Sequence, residues 1–414
     1  MPGRPLRAAR PVYVVDAVRT PLGKYGGALA SVRSDDLAAH VITALTERHP
    51  QVTSRVDQVV FGATNQAGED SRNVARMASL LAGLSHDVAA VTVNRLCGSG
   101  LEAIGAAFRM IALGEADCVI AGGVESMSRA PFVMAKSERA FSRRAPELYD
   151  TTLGWRFFNP KLASRLDPIS MGETAENVAK KHGISRADQD AYALASHRRA
   201  AAATSTQRFA SEIAPIALAP RRGPEGDGAP VVFDRDEGIR VDTDLDRLAR
   251  LRPVFREGGT VTAGNASPLS DGSAALLLAS GDVVEALGLP RRAAVLANAT
   301  VGVDPNYMGE GPIGAVRKLL RRADLRVPNI DLFELNEAFA AQALACIRAL
   351  ELDPERVNVD GGALALGHPI GCSGARIAVT LVHALERRDA SLGVATLCIG
   401  VGQGIATLFE RTSN

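Results

Sequence analysis

Short runs of apolar residues alternate along the chain with longer stretches whose apolar positions recur at helical spacing, a pattern that predicts an α/β fold with buried strands. Strands are expected at Val12 to Asp16, Gln58 to Gly62, Ala90 to Asn94 and Cys118 to Gly122. Between them, Asn73 to Leu84 carries Val74, Met77, Leu80 and Leu81 at helical spacing and closes near Gly83. From about Met127 to Arg252 the chain becomes charged and irregular, and its Pro220 to Pro230 stretch predicts an exposed loop. Inside that segment, Ser185-x-x-Asp188 has the form of a capping box that opens a helix running through Asp190 to Ala203. After Gly258 the α/β pattern resumes.

The second α/β stretch echoes the first. Val295 to Asn298, Asp331 to Glu334 and Leu392 to Ile399 take the places of the opening strand, of Gln58 to Gly62 and of Cys118 to Gly122. Each stretch sets a small-residue turn, Cys97-Gly-Ser-Gly and Cys372-Ser-Gly-Ala, before a long helical pattern. The expected division is residues 1–126 with 253–290 as one half, 127–252 as an inserted loop domain, and 291–414 as the other half.

Composition narrows the function. The 414 residues suffice for a sizeable core, and 47 Lys and Arg against 46 Asp and Glu give a formal charge of +1. A charge that small supplies no field for nucleic acid or an anionic membrane, so an anionic ligand must be held by local charges. Five cysteines without a CxxC pair give neither a disulfide framework nor a zinc site, which fits a reducing cytoplasm and no metal. The opening MPGRPLRAARP is broken by prolines and is not a secretory leader, and no apolar stretch approaches the ~18 residues of a membrane span.

Four segments carry candidate chemistry, each at the end of an expected strand. In Asn94-Arg-Leu-Cys-Gly-Ser-Gly-Leu-Glu, Cys97 stands where a helix begins, so free amides and the macrodipole would favour its thiolate and lower its pKa. A small buried cysteine at a tight junction is the plain alternative. In Gly361-Gly-Ala-Leu-Ala-Leu-Gly-His-Pro-Ile-Gly-Cys-Ser-Gly-Ala-Arg, the glycines around His368 suggest a backbone approached closely by a ligand, with the imidazole as proton acceptor or hydrogen-bond donor. Leu397-Cys-Ile-Gly-Val-Gly-Gln-Gly offers Cys398 as a second sulfur for acid–base work, or as another buried cysteine. Its Gly400, Gly402 and Gly404 lack the spacing, helix and acid of a dinucleotide fingerprint. In Asn336-Glu-Ala-Phe-Ala, Asn336 could fix a water or an oxyanion, or simply cap a helix.

Together these segments resemble those of the thiolase family. The resemblance runs from Val15-Asp-Ala-Val-Arg-Thr-Pro through Gly122-Gly-Val-Glu-Ser-Met-Ser and Thr262-Ala-Gly-Asn-Ala-Ser to the final Gly-Gln-Gly. It implies two similar α/β halves in a layered αβαβα core and a ping-pong reaction through an acyl-cysteine. Cys97 would attack the 3-oxo carbon of a 3-oxoacyl-CoA, and Cys398 would protonate the departing acetyl-CoA enolate. His368 would take the Cys97 proton and, with a water held by Asn336, stabilise the thioester oxygen. The amides of Cys97 and Gly400 would form a second oxyanion hole. The loop domain would cradle CoA, with Ser267 near the pantetheine and Ala338 and Phe339 lining the slot.

The resemblance implies CoA as co-substrate, no permanently bound cofactor, and a homodimer or homotetramer. Within the family, Asn65 to Met77, Glu125 to Met134, Asp150 to Pro160 and Val401 look like the bacterial 3-oxoadipyl-CoA branch. Gly98 and Cys372 look instead like the fatty-acid 3-ketoacyl-CoA branch, which with acetoacetyl-CoA thiolysis is the alternative activity. A non-catalytic CoA- or lipid-binding relative would be expected to lose Cys97, His368 or Cys398, and a ketosynthase would use one cysteine with two histidines.

Overall fold

The computed structural model describes residues 10–143, 145–218, 222–223, 226–227 and 231–412. Nine strands form the continuous path of its ten-stranded main sheet. They are β1 Val12–Arg19, β2 Gln58–Gly62, β3 Ala89–Val93, β4 Cys118–Ser126, β5 Ser270–Ser280, β6 Ala293–Gly302, β7 Leu332–Leu335, β8 Leu392–Ile399 and β9 Gln403–Arg411. The larger helices are α1 Ser34–Arg48, α2 Val74–Leu81, α3 Ser99–Leu113, α4 Met171–Lys181, α5 Arg186–Ser205, α6 Gly311–Ala323, α7 Ala340–Leu350 and α8 Ile370–Arg387.

The strand order is β7-β8-β9-β6-β1-β5-β4-β2-β3, with the two-residue strand Gly23–Lys24 pairing β5. The echo in the sequence is an echo in topology. In one half β2 runs parallel to β4, which is antiparallel to β5, itself antiparallel to β1. In the other, β7 runs parallel to β8, β8 antiparallel to β9, and β9 antiparallel to β6. The register shifts between Val14 and Asp16 in β1 and between Val295 and Ala297 in β6, so both halves carry a bulge at the same point of their first strand. The halves meet where Tyr13 pairs with Ala294 and Val14 with Ala293. Of these nine strands, β3 has no counterpart in the second half.

Five layers result. Leu101, Ile104 and Ile111 of α3 and Ala375, Val379 and Val382 of α8 share one core with Val14, Val119, Leu276, Leu397 and Phe409 of the sheet. Each fully buried Leu, Val or Phe contributes about 1.5–3 kcal/mol to that core. Leu37, Val41 and Val74 of α1 and α2 cover the outer face of the first half against Val59, Phe61 and Ile120. Val316, Leu320 and Ile347 of α6 and α7 do the same for the second, against Phe333, Val394 and Leu408.

Some expectations need correction. The stretch Leu96–Leu113 is 18 residues long and apolar enough to cross a membrane by composition, contrary to the reading that no stretch approaches that length. It contains α3, whose apolarity is that of a helix enclosed in the central layer. The segment from Met127 to Arg252 is less irregular than its charge suggests. It holds α4 and α5, each opened by a complete capping box, Ser170 with Glu173 and Ser185 with Asp188. Buried Arg19 of β1 anchors that segment by ion pairs to Glu212 at 2.6 Å and Asp236 at 2.7 Å. Of the expected loop Pro220 to Pro230, only the short hairpin Arg222–Gly223 with Gly226–Asp227 is described, and the rest lies outside the described residues.

Candidate active site

Cys97 and His368 occupy matching places, each two residues before a central helix, Cys97 ahead of α3 and His368 ahead of α8. The two helices start against each other. A Cβ on Gly100 would lie 2.6 Å from the Ala375 amide nitrogen, and one on Gly374 would lie 2.3 Å from that of Leu101. Only glycine permits backbones this close.

The Cys97 turn is held in an unusual conformation. Leu96 has φ +46°, a left-handed value that costs a non-glycine residue about a kcal/mol or more and points to a functional turn. Side chains on both flanks pin it: Asn94 Oδ1 accepts from the Leu96 amide at 2.9 Å, and Ser99 Oγ accepts from the Arg95 amide at 2.8 Å while donating to the Leu96 carbonyl at 2.6 Å. Cys97 itself keeps partial exposure. Its thiol is pushed up from its ordinary value by burial of the sulfur, with Glu125 adding to the rise, while the amides of Gly400 and Cys97 pull down. The expectation of a lowered pKa therefore fails, because desolvation outweighs the amide contacts. The thiol needs a base.

The other helix start holds a neutral imidazole. His368 is buried, and its pKa is pushed down to about 3 by burial and by the Arg376 cation. The Ser373 hydroxyl donates to the Pro369 carbonyl at 2.9 Å and stands 2.6 Å from His368 Nδ1. Since the hydroxyl has one proton, it must accept from Nδ1–H, which leaves the Nε2 lone pair free. Asn336 Nδ2 lies 3.5 Å from both ring nitrogens, at the limit of hydrogen bonding, and Asn336 Oδ1 has no protein partner among the described residues. Asn336 does not cap a helix, because α7 begins at Ala340 with Phe339 in the cap position.

Cys398, the next-to-last residue of β8, is buried beside Met171, Met308, Ala338 and Phe339. Burial drives its thiol well above its ordinary value, and the thiols of Cys97 and Cys346 raise it further. It is therefore an acid at rest. Gly400 opens the turn after β8, where Val401 takes φ +62° and Gly402 φ +81°, and its amide faces the Cys97 sulfur. This is a β-hairpin with no following helix, in keeping with rejection of a dinucleotide loop.

Ser267, Ala338 and Phe339 are brought together as well. The Ser267 amide donates to the Ala338 carbonyl at 3.0 Å, Ala266 bridges Phe339, and the Phe339 ring packs edge-on against Phe255 at 6.3 Å. Met171 of α4 and Phe255 pack on the cluster that holds Cys398. Among the described residues no group of three or more His, Cys, Asp and Glu side chains gathers as metal ligands would.

The chain matches two family models, that of the thiolase N-terminal domain over residues 12–282 and that of the thiolase C-terminal domain over residues 289–411. The chain belongs to the thiolase family. A beta-ketoadipyl-CoA thiolase of Pseudomonas knackmussii is 55% identical over 406 residues, covering 97% of this chain and 100% of its own. A 3-oxoadipyl-CoA/3-oxo-5,6-dehydrosuberyl-CoA thiolase of Escherichia coli is 52% identical over 405 residues, covering 97% of this chain and 100% of its own. Among solved structures, human mitochondrial 3-ketoacyl-CoA thiolase in complex with CoA superposes with a TM-score of 0.90 at 39% identity, over 99% of this chain and 100% of that one. This thiolase is thus an acyltransferase acting on CoA thioesters, and the layered α/β architecture is the family's.

Two supporting residues of this thiolase, Ser373 and Glu125, stand out only in the structure. Ser373 lay inside the quoted glycine-rich segment, and a hydroxyl five residues after a histidine at a helix start was the available signal. Glu125, buried at the end of β4, accepts from the Thr64 hydroxyl at 2.7 Å, the Thr64 amide at 3.0 Å and the Gly371 amide at 2.9 Å. It joins the loop after β2 to the start of α8. Nothing in its local sequence distinguishes it from a surface acid.

Proposed function

We propose that this thiolase cleaves 3-oxoadipyl-CoA with free CoA, yielding acetyl-CoA and succinyl-CoA. The observation that carries the chemistry is the Cys97 sulfur facing two backbone amides, its own and that of Gly400. The substrate class rests on the likeness to the named relatives. His368 Nε2 takes the Cys97 proton and the thiolate attacks the C3 carbonyl, whose oxygen becomes an alkoxide in the hole made by the two amides. The C2–C3 bond then breaks with its electron pair on C2. The thioester oxygen of the resulting enolate is held by His368 Nε2–H and by a water on Asn336, and the Cys398 thiol protonates C2 to release acetyl-CoA. Free CoA gives its proton to the Cys398 thiolate and attacks the acyl-Cys97 carbonyl, the C–S bond to Cys97 breaks, and the leaving Cys97 thiolate takes its proton back from His368.

CoA lies across the segment 127–252, whose Met171, like the neighbouring Phe255, packs beside Phe339 and Cys398. Ser267, Ala338 and Phe339 line the pantetheine slot, and arginines of that segment meet the phosphates. Assembly as a homodimer or homotetramer and a cytoplasmic location belong to the same reading.

The deciding experiment compares kcat/KM for 3-oxoadipyl-CoA, acetoacetyl-CoA and a medium-chain 3-ketoacyl-CoA. Preference for the first supports the assignment. Preference for an uncharged chain moves the enzyme to fatty-acid or acetoacetyl-CoA thiolysis, and no cleavage of any by folded protein leaves only CoA binding.

A further inference from the structure

Arg376 is an expensive residue for a protein core. It is 1% exposed, its Nη1 donates to Glu334 Oε2 at 3.2 Å, and its Nε and Nη2 have no acceptor among the described residues. A buried cation so thinly paired costs stability, and an apolar pair of similar volume would often be more stable. Its placement gives it a use.

Arg376 follows Ser373 by three residues on α8, so the two side chains share one face of that helix. Glu334 lies on β7 two residues before Asn336, which stands just past the end of the strand with its amide still donating to the Thr396 carbonyl of β8 at 3.0 Å. A closed circuit follows: His368 to Ser373, along α8 to Arg376, across to Glu334, along the backbone past the end of β7 to Asn336, and back to His368. Its weakest link is the last. The Asn336–His368 contacts are 3.5 Å, too long to hold the two side chains in register by themselves.

We infer that Arg376 is a positioning residue whose hydrogen bond to Glu334 ties α8 to β7 and so sets the spacing between His368 and Asn336. The inference rests on the roles proposed for those two residues in holding the thioester oxygen. The spacing matters because donors must stand where the oxyanion will be, and small displacements are costly.

The tie does not depend on full ionisation of the acid. Burial, with Asp360, Glu212 and Glu337 nearby, raises Glu334 to about 8, and Arg376 is the group opposing that rise. Glu334 therefore accepts from Arg376 in either form. Ser373, Asn336 and Arg376 act on the His368 ring, and Glu125 of β4 accepts from the Gly371 amide three residues on. Arg19 of β1 also reaches α8 but is engaged by Glu212 and Asp236, and Arg376 is the charge that acts on the ring.

The test replaces the pair by apolar groups, Arg376→Met with Glu334→Leu in one protein, and measures kcat, KM for CoA and the pH dependence of kcat/KM. The expected outcome is a folded enzyme with KM within about twofold, kcat down at least about tenfold, and an acid limb moved to higher pH because the cation is gone. A folded double variant with wild-type kcat and an unmoved acid limb overturns the inference. Should that protein not fold, Glu334→Gln decides, since its amide oxygen still accepts from Arg376. Wild-type kcat within about threefold is then expected, and a loss beyond about tenfold in folded enzyme overturns the tether. His368→Asn and Asn336→Ala run in parallel: wild-type turnover in both would remove the underlying roles, a failure separate from that of Arg376.

Discussion

The turn before α3 and the turn before α8 are the same place in two similar halves, and they are built for opposite tasks. The first presents a partly exposed sulfur on a backbone bent at Leu96 and pinned by Asn94 and Ser99. The second holds an imidazole that is buried and fixed by Ser373, after Gly367 at φ +119°. A nucleophile must reach its substrate, whereas a base must keep one nitrogen aimed and unprotonated. The two helix starts touch, and in the proposed mechanism each carries one half of the chemistry.

The largest effect should come from breaking the division between the two sulfurs. Cys97→Ser is expected to abolish acyl-enzyme formation, with turnover down by about a thousandfold or more, whereas Cys398→Ser should still be acylated by an acyl-CoA but fail in enolate chemistry. Mass spectrometry of the trapped acyl-enzyme beside proton exchange at C2 of acetyl-CoA separates the two. Equal loss in both half-reactions would end that division of labour.

Forcing the two turns apart is the next test. Gly374→Ala puts a methyl 2.3 Å from the Leu101 amide nitrogen. It should destabilise the fold by about 1–3 kcal/mol and lower kcat by about tenfold, read from denaturant midpoints and steady-state rates. Unchanged kcat would mean that the helix starts need not touch.

Ser373→Ala sharpens the contrast between a fixed base and a free nucleophile. It removes the acceptor at Nδ1, so the ring samples both tautomers, and kcat should fall by about tenfold while KM for CoA holds. Nitrogen NMR of the labelled histidine reports the tautomer directly.

The smallest effect is on stability against pH. His368 titrates near 3 in the folded chain against the usual 6.5, so between these values the unfolded chain binds a proton that the folded chain excludes. Its contribution is complete above about pH 6.5 and declines by about 1.4 kcal/mol per pH unit as pH falls. The stability difference between wild type and His368→Asn should shrink accordingly from pH 6.5 to 5.5 in denaturant titrations. A constant difference would mean that the imidazole is protonated without penalty.

Much of the architecture was legible because buried strands of an α/β sheet are short apolar runs bounded by turns. The limits of β2 and β8 agree with the expectation, while β1 and β4 run three and four residues further. Two central strands were not foreseen. β5, Ser-Asp-Gly-Ser-Ala-Ala-Leu-Leu-Leu-Ala-Ser, is buried along its whole length, so it lacks the alternation that marks a strand and its alanines and leucines suit a helix equally. β9 likewise buries both faces through its middle. The helix expected over Asn73 to Leu84 is shorter, Val74–Leu81 with Asn73 as its cap.

The sequence by itself determined which groups could react: two thiols, an imidazole and an amide in settings of small residues, although His368 lies between the short helix Ala363–Leu366 and α8 and not at the strand end expected of it. The sequence also carried the repeat, while the matching bulges in β1 and β6 show only in the pairing register. Tertiary structure alone decided their protonation and company. Burial raised Cys97 where the local helix start suggested lowering, Ser373 chose the nitrogen of His368 that stays free, and Arg376 reached across to Glu334 from another element. Charge state and juxtaposition depend on desolvation and on partners distant in the chain, and neither is encoded in the spacing of neighbouring residues.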